Sequence, residues 1–414
     1  MNGNISWRKN WGLTNLKAFD LLLFVVWGYG IITLYANVIM CRIIGISIDK
    51  SPLLTIVIVT LIIASLPYIL KYLKLFDFVL YGAIVALYFS QAAIYTNNAP
   101  FLNQMSERFF LYCLPYYGLY KCINVEKSFR MFRFMAIVSI IVDALQFLLL
   151  GGANKYDLAS EGAHGMTMAY SLLPHVLIML WTCFKQKTFF DIAITALGVL
   201  LLLSMGTRGP ILCVFVFVIG YCFMFGEFKK PRRTKISVFI LGGVCYLLLE
   251  PLLFVVTLII SKFGMSSRVV SMMLNNSLND SNGRDAIQEI VLDYVNSGPF
   301  WGYGLAGDRV MLSGIWSDGG FSHNLVVEMM ASFGRIPGLV ICVMIALYII
   351  YVIRHSYNRI NSIFFWMLVS ICVSELVSGS FLQDPVLYMM FGFGANILST
   401  KGASNNSNCS ILYS

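Results

Sequence analysis

The sequence predicts an all-α, polytopic membrane protein with about twelve transmembrane helices and one long extracytoplasmic loop between spans nine and ten. Three observations lead to this fold class. Of 414 residues, 58% are hydrophobic and only 12% are charged, whereas a soluble domain carries about 25% charged residues. The apolar residues form runs close to the roughly 20 residues that a helix needs to cross a bilayer. Lys and Arg stand in short clusters between those runs, as membrane anchors do.

Twelve apolar runs are predicted to span the membrane. The first begins at Phe19 and is too long for the apolar core of a cleaved signal peptide, so we interpret it as a span. The runs at 109–121 and 385–399 are the shortest. The predicted spans are 19–40, 53–71, 76–95, 109–121, 131–150, 165–184, 189–205, 210–226, 236–260, 336–354, 361–380 and 385–399.

Loop charge predicts the orientation of these spans. With the N-terminus inside, 19 of the 29 Lys and Arg residues lie on the inner side. Of the ten on the outer side, five lie in the long loop, where the positive-inside rule has little force. The ratio among short loops is therefore 19 to 5. Both termini are predicted to be cytoplasmic.

The spans divide the chain into four segments. Residues 1–260 hold spans one to nine, 261–335 form the long loop, 336–399 hold spans ten to twelve, and 400–414 form a cytoplasmic tail. The long loop is the segment with room for a sizeable site in water. It carries five basic and seven acidic residues, so its bulk charge would not attract phosphate. Individually placed arginines would have to bind it.

Neither a metal centre nor a nucleic-acid surface is predicted. The ten cysteines are scattered through apolar segments with no CxxC pair, which argues against both zinc and a disulfide framework. The net charge of +9 is divided among separate inner loops rather than gathered into one basic stripe with interleaved aromatic residues. We therefore expect no cofactor and no nucleic acid.

An amphipathic helix is predicted at 283–295, with Asn282 as its N-cap. Ile287, Val291 and their neighbours recur at the helical period, and Arg284 leans toward this apolar side. A guanidinium there needs an anionic partner. That partner is either a neighbouring carboxylate or a bound phosphate, whose oxygens match the planar fork of arginine.

Two further motifs follow in the long loop. Gly302 and Gly304 permit a tight turn or close backbone approach to a ligand, and we reject a dinucleotide site because no βαβ unit surrounds them. His323 and Asn324 open a helix predicted to end at Gly334. An imidazole facing outer water is a candidate general base, although a lone histidine is more often structural.

Arg208 is the lone charge in a tight hairpin, Ser204–Pro210, at the outer membrane edge. It either snorkels to lipid headgroups or holds a lipid-linked phosphate. Asp143, Glu250 and Glu375 are acids inside apolar spans. Such acids are costly and usually face a cavity or a partner, so they suggest a polar recess that opens outward, with packing pairs as the alternative.

Together these features resemble the O-antigen ligase and polymerase superfamily, which includes WaaL-type ligases and Wzy-type polymerases. The resemblance covers the topology of the whole chain, with motifs confined to about 205–340: the Arg208 hairpin, the Arg284 helix, the Gly302–Gly304 turn, and His323–Asn324 followed by Gly334 and Gly338. Arg335 departs from the pattern, because the family usually has a small or apolar residue there.

The resemblance implies a glycosyltransferase of the bacterial inner membrane whose active site faces outward. Its donor would be a glycan on undecaprenyl pyrophosphate, and neither a metal nor a nucleotide sugar would be required. Arg208 and Arg284 would hold the pyrophosphate, and His323 would orient or deprotonate the acceptor hydroxyl. Arg309, Asn324, Gly302 and Gly304 would contact substrate.

The acceptor defines two alternatives within this chemistry. A polymerase of O-antigen or capsular polysaccharide would transfer to the next lipid-linked repeat, and a ligase would transfer to lipid A-core. We favour the polymerase, with a chain-length regulator and a flippase as its expected partners. A transporter or flippase is the alternative of another class, but transporters typically show paired repeats and helices broken at the midplane.

Overall fold

The computed structural model describes residues 18–28, 51–149, 163–205, 207–225, 284–315 and 320–411. Every regular element among these residues is helical, so the all-α prediction is confirmed for this part of the chain. The α-helices are α1 Ala18–Trp27, α2 Ser51–Leu70, α3 Leu75–Ile94, α4 Ala99–Arg108, α5 Leu114–Lys121, α6 Val125–Leu149, α7 Ala163–Gln186, α8 Phe189–Ser204, α9 Arg208–Gly220, α10 Arg284–Ser297, α11 Gly307–Ser313, α12 Leu325–Phe333, α13 Arg335–His355, α14 Arg359–Cys372 and α15 Val386–Ile411. Short 3-10 helices at Thr96–Asn98 and Val373–Leu376 and π-helical turns at Phe109–Cys113 and Tyr221–Phe225 join some of them.

Four described helices are long and apolar enough to cross a membrane: Leu75–Ile94, Met168–Gln186, Arg335–His355 and Arg359–Leu376. Shorter apolar helices occupy Ala18–Trp27, Thr55–Leu70, Phe189–Ser204, Gly209–Met224 and Val386–Ser399. All nine coincide with predicted spans. The predicted total of about twelve stays a prediction, because the spans at 109–121 and 131–150 are not among these nine helices and the span at 236–260 lies outside the described residues.

Several boundaries differ from the prediction. The span predicted at 361–380 ends at Leu376, because the backbone tightens into a 3-10 turn and then leaves the helix. Helix α15 runs through residue 399 to Ile411, so most of the predicted polar tail is helical. The span predicted at 109–121 consists of a π-helical turn and α5, and follows directly on α4.

The described chain forms two compact units, 1–71 and 72–414. In the first unit α1 packs on α2, with the rings of Phe19 and Tyr68 4.6 Å apart. In the second unit α5 packs along α15, α6 packs on α7, and α14 packs on both α9 and α15. The candidate site lies in this second unit.

Polar contacts within the second unit join segments that the sequence assigns to one side of the membrane. On the predicted inner side, Arg133 pairs with Asp191 at 2.7 Å, and Asn358 donates to Glu126 at 3.0 Å. On the predicted outer side, the Asn98 amide donates to the Tyr303 carbonyl at 2.7 Å. The long loop is thereby attached to the turn between α3 and α4.

The loop helices share a small core of their own. The buried side chains of α10 are Ile287, Val291 and Val295, which confirms the predicted amphipathic helix. They pack with Leu312 of α11 and with the inner face of α12. Because each such side chain contributes about 1.5–3 kcal/mol on burial, this cluster holds the three helices together beside the membrane helices.

Gly302 and Gly304 adopt φ angles of +74° and +81°, so the predicted tight turn is confirmed. The atoms that both glycines approach closely belong to the protein itself. A Cβ on Gly302 would lie 2.3 Å from the Gly334 nitrogen, and one on Gly304 would lie 2.4 Å from the Tyr95 ring. The Tyr303 amide between them donates to the Ala331 carbonyl at 2.8 Å. The turn therefore fastens the loop onto α12.

We expect Gly302→Ala to destabilise the protein by at least about 1–2 kcal/mol, because a positive φ is unfavourable for alanine and its methyl group would meet backbone rather than a movable side chain. Thermal unfolding in detergent would measure the loss. Gly314→Ala is the matched control, since its φ is −71° and nothing lies within 4 Å of an added Cβ. Equal melting temperatures for the two variants would contradict the packing of this turn.

Candidate functional site

The Arg284 side chain reaches the end of the membrane helix α14. Arg284 begins α10 and is half-buried on the same side as Ile287. Its Nη1 donates a hydrogen bond of 3.1 Å to the Val377 carbonyl, just beyond the 3-10 turn that ends α14. This contact joins the long loop to residues 377–384, which we call the outer turn.

The His323 side chain contacts the outer turn at Ser378, next to Val377. The backbone of His323 has a φ of +51°, a left-handed conformation that is uncommon outside glycine and often marks functional positions. The next residue, Asn324, caps α12 through its side chain, which accepts hydrogen bonds from Val326 N and Val327 N. The backbone of Ser378 forms a hydrogen bond with the imidazole. The predicted helix start is therefore confirmed, and it sets the position of His323.

The environment of His323 favours the neutral imidazole. Burial lowers its pKa to about 4, and the nearby positive charge of Arg284 acts in the same direction. Its Nδ1 is buried and has no hydrogen-bond partner among the described residues. The ring therefore keeps a nitrogen that could accept a proton.

We expect the His323 environment to make folding sensitive to acid. The imidazole has a pKa near 6.5 when unfolded and about 4 when folded, so the unfolded chain binds more protons between these values. Stability should therefore fall as pH decreases from about 6.5 to 4. Carboxyl groups also contribute acid dependence, but they are common to wild type and His323→Gln. The difference between the two melting curves against pH isolates the imidazole, and parallel curves would contradict its burial beside Arg284.

Tyr170, near the start of α7, connects the outer turn to the Arg208 hairpin. Tyr170 shares a hydrogen bond with the Ser378 side chain and lies within electrostatic range of Arg284. A Cβ on Gly209 would come 2.0 Å from the Tyr170 hydroxyl oxygen. Because Arg208 is the first residue of α9 and precedes Gly209, the backbone at Arg208 lies close to the groups around Arg284 and His323.

Arg309 is enclosed in a buried ionic network. Its side chain is 3% exposed and pairs with Asp308 at 2.8 Å and with Glu328 at 2.9 Å. It also donates to the Ser380 hydroxyl at 2.7 Å. Burial raises the pKa of Glu328, and the Arg309 guanidinium opposes that rise. The predicted contact of Arg309 with donor stays a prediction, because its observed partners are all within the protein.

The ionic network also supports the segment that carries His323. Asp308 Oδ2 accepts a hydrogen bond of 2.9 Å from the Ser322 amide. The Phe321 ring lies 5.5 Å from the Arg309 guanidinium and 3.9 Å from the imidazole of His323. The residues on both sides of Ser322 are thus held by Arg309 and its carboxylate partner, which fixes the direction of the imidazole.

The outer turn connects the site to the ionic network. The Ser380 hydroxyl donates to Glu328 Oε1 at 2.7 Å, and the Phe381 amide donates to Glu328 Oε2 at 3.1 Å. Asp384, the last residue of the turn, also shares a side-chain hydrogen bond with Glu375. Residues 377–384 therefore contact Arg284, His323, Arg309 and Tyr170 within eight positions.

Three buried polar atoms around Tyr170 and the outer turn have no hydrogen-bond partner among the described residues. They are His323 Nδ1, Thr207 Oγ1 and Glu375 Oε2. Buried polar groups are nearly always paired with protein or water. Of the three, His323 Nδ1 belongs to a ring within electrostatic range of Arg284, and an imidazole next to a guanidinium suits an anionic ligand that also carries hydroxyl groups.

The remaining predicted substrate contacts have other roles in the structure. The Asn324 side chain caps α12, and Gly302 and Gly304 pack against protein. Asp143 is buried on α6, Arg335 is exposed at the first position of α13, and Glu250 lies outside the described residues. Contact of Asn324, Gly302 and Gly304 with substrate stays a prediction, and no substrate role was predicted for Asp143, Arg335 or Glu250.

Sequence reasoning did not identify Tyr170, Ser378 or Asp384. Tyr170 lies in a predicted span among apolar residues, and nothing local marks its hydroxyl as functional. Ser378 was placed inside the span predicted at 361–380, where serine is unremarkable. The one signal available was Glu375, an acid near the outer end of that span, which pointed to this region but not to its partners.

Within the described part of the chain, no group of His, Cys, Asp and Glu side chains is arranged to bind a metal ion. Compared with known proteins, the chain matches no family model, no curated protein and no solved structure. The geometry at the outer turn is therefore the basis for a functional proposal.

Proposed function

We propose that this protein is a membrane glycosyltransferase that moves a glycan from a polyprenyl pyrophosphate to a sugar hydroxyl. The observation that carries the proposal is the convergence of Arg284 and His323 on Val377 and Ser378. One supplies a fixed positive charge, and the other supplies a neutral imidazole with an unpartnered nitrogen. A reaction that expels a phosphate group while a hydroxyl loses its proton needs both.

The reaction follows from these two roles. The acceptor hydroxyl oxygen attacks the anomeric carbon of the donor, and its proton passes to His323 Nδ1. The bond from the anomeric carbon to the pyrophosphate oxygen breaks, and the electron pair leaves with the pyrophosphate. Arg284 stabilises the negative charge that develops on that oxygen. Bound pyrophosphate would also offset the charge of Arg284 and make the imidazole a stronger base than it is in the empty site.

The surrounding residues position these groups. Arg208 begins α9 beside Tyr170, which suits it to the second phosphate, at the level of the lipid headgroups. The N-terminus of α9 adds a favourable dipole for an anion. Arg309 acts as a positioning residue, because it holds the segment before His323 from within a buried network.

The acceptor that we favour is a sugar hydroxyl of the next lipid-linked repeat, which makes the protein a polymerase of O-antigen or capsular polysaccharide. This choice rests on the resemblance of the motifs to such polymerases. A ligase would use the same donor groups with lipid A-core as acceptor. In either case we place the protein in the bacterial inner membrane with the outer turn facing the periplasm.

Reconstitution with a defined donor tests the proposal. Purified protein in liposomes would receive an undecaprenyl-pyrophosphate-linked oligosaccharide, first alone and then with lipid A-core. Products longer than the donor in the first reaction indicate a polymerase. Transfer only in the second indicates a ligase. Release of undecaprenyl pyrophosphate must accompany either product, since the leaving group carries the lipid.

Deletion of the gene gives an independent test in cells. A polymerase deletion should leave core bearing a single repeat, whereas a ligase deletion should leave bare core and accumulated lipid-linked polymer. In the liposome experiment, by contrast, movement of intact donor across the membrane without pyrophosphate release would favour the transporter alternative. Unchanged surface polysaccharide would exclude both transferase assignments.

A further inference from the structure

A groove of about 690 Å³ lies on the side of the second unit formed by α3 and α13 and reaches the outer turn at Phe381. These two helices flank it, and α5 and α15 supply its floor. Both flanking helices satisfy the length and hydropathy of membrane spans. Their apolar side chains are largely exposed, among them Val79 and Val343. The groove is therefore bordered by surfaces that would contact lipid.

The walls of the groove present hydrocarbon. Four tyrosines line it, but each hydroxyl is used inside the protein. Tyr81 donates to the Leu114 carbonyl at 2.9 Å, and Tyr117 donates to Asp77 at 2.7 Å. Tyr348 and Tyr388 donate to the carbonyls of Phe391 and Phe381, each at 2.9 Å. What remains facing the groove is ring faces and aliphatic side chains, which suit a hydrocarbon chain and leave a polar ligand unsatisfied.

The two ends of the groove differ in charge. One end is lined by Met329, Phe333 and Phe381, with no charged group among them. The other end is lined by Lys74 and Lys121. Lys121 is buried and neutralised by Asp77, whereas Lys74 is exposed. An anionic headgroup would therefore find its partner at the Lys74 end.

Aromatic side chains mark the Lys74 end as the level of the headgroups. Tyr72 and Phe76 are exposed on either side of Lys74, and aromatic residues concentrate at membrane–water interfaces. From this end the groove follows α15 from Ser399 to Leu387, a distance of about 18 Å at 1.5 Å per residue. That matches the depth of one leaflet, about 15 Å of hydrocarbon.

We propose that the groove between α3 and α13 binds an anionic phospholipid, with one acyl chain along α15 and the phosphate at Lys74. The site goes beyond the proposed transfer reaction and would exist whether or not the protein transfers a glycan. Its lining includes Phe381 of the outer turn but not Arg284, His323 or Tyr170. It takes a lipid from the leaflet at the opposite end of the spans from Phe333 and Phe381.

Native mass spectrometry of the full-length protein tests this site, with phosphatidylglycerol and phosphatidylcholine as probes. We expect wild type to retain phosphatidylglycerol in preference to phosphatidylcholine. Lys74→Ala should reduce that preference about fivefold, because one lysine near a membrane surface contributes about 1 kcal/mol toward an anionic lipid. Lys127→Ala, at an exposed lysine outside the groove, should leave the preference unchanged.

A second pair of variants tests the acyl-chain channel. Ile345→Trp would fill the groove and should displace both lipids. Val343→Trp is its control on the same helix, because Val343 is 57% exposed and does not line the groove. Retention of phosphatidylglycerol by Ile345→Trp would overturn the proposal.

Two other outcomes would also overturn it. If Arg335→Ala rather than Lys74→Ala abolishes the preference, the headgroup lies at the other end of the spans. If undecaprenyl phosphate displaces phosphatidylglycerol at equal concentration, the occupant is an isoprenoid chain. If the wild-type protein binds phosphatidylglycerol at this groove but transfers no glycan, the lipid site stands and only the proposed reaction is wrong.

Discussion

Arg309→Ala is expected to destabilise the folded protein by about 3–5 kcal/mol, the usual cost of removing one member of a buried ion pair. Arg309 is paired with Asp308 and Glu328, and both carboxylates are fully buried. Without the guanidinium, two negative charges would remain in a site from which water is excluded. Glu328 would also lose one of its donors, leaving those from the outer turn.

The loss can be measured as a lowered melting temperature of the detergent-purified protein. Arg354→Ala is the matched control, since this arginine is exposed at the end of α13, and surface substitutions usually change stability by no more than about 0.5 kcal/mol. We also expect Arg309→Ala combined with Glu328→Gln to recover part of the loss, because one of the stranded charges is removed. A melting temperature equal to that of the control would contradict the enclosed network.

Hydropathy and helical periodicity predicted most of the membrane helices together with α10 and α12, but they did not predict α4 or α11. The bilayer requires long apolar runs, so spans such as those of α3 and α13 can be predicted from consecutive residues alone. The same is true of α10 and α12. Their apolar period and the capping preference of Asn324 act within a few residues, and no distant contact was needed to find them.

The outer turn could not be predicted in this way. Its residues include Val377, Phe381 and Leu382, which extend the apolar run of α14, so hydropathy carried the predicted span to residue 380. What ends the helix is a set of distant partners: Arg284 at Val377, the imidazole of His323 at Ser378, and Glu328 at Phe381. These partners are separated from the turn by about 50 to 90 positions in the sequence. Neither composition nor local periodicity can therefore predict that they meet.

Arg309 illustrates a second limit. The sequence shows acidic residues throughout the long loop, and from this we inferred only that its bulk charge would not attract phosphate. The fold pairs two of those acids, Asp308 and Glu328, with one arginine. Charge counting therefore could not distinguish an arginine that supports the structure from Arg284, whose contact is with a carbonyl at the edge of the site.

Arg284→Ala is expected to reduce the rate of glycan transfer by about 10²–10³-fold, the usual effect of removing one preorganised donor to a developing negative charge. The prediction rests on the proposed reaction. The loss should appear mainly in kcat, because the charge on the leaving oxygen grows in the transition state. Arg284→Lys should retain part of the rate, since it keeps the positive charge and loses the planar fork.

Glu289→Ala separates this effect from general damage to α10, because Glu289 is exposed on the same helix. Its rate and melting temperature should match wild type. A structural role for Arg284 predicts the opposite pattern: less folded protein, with an unchanged kcat for the fraction that remains folded. If folded Arg284→Ala transfers glycan at the wild-type rate, the guanidinium serves only to dock the loop on Val377, and the charge that expels the pyrophosphate must come from Arg208.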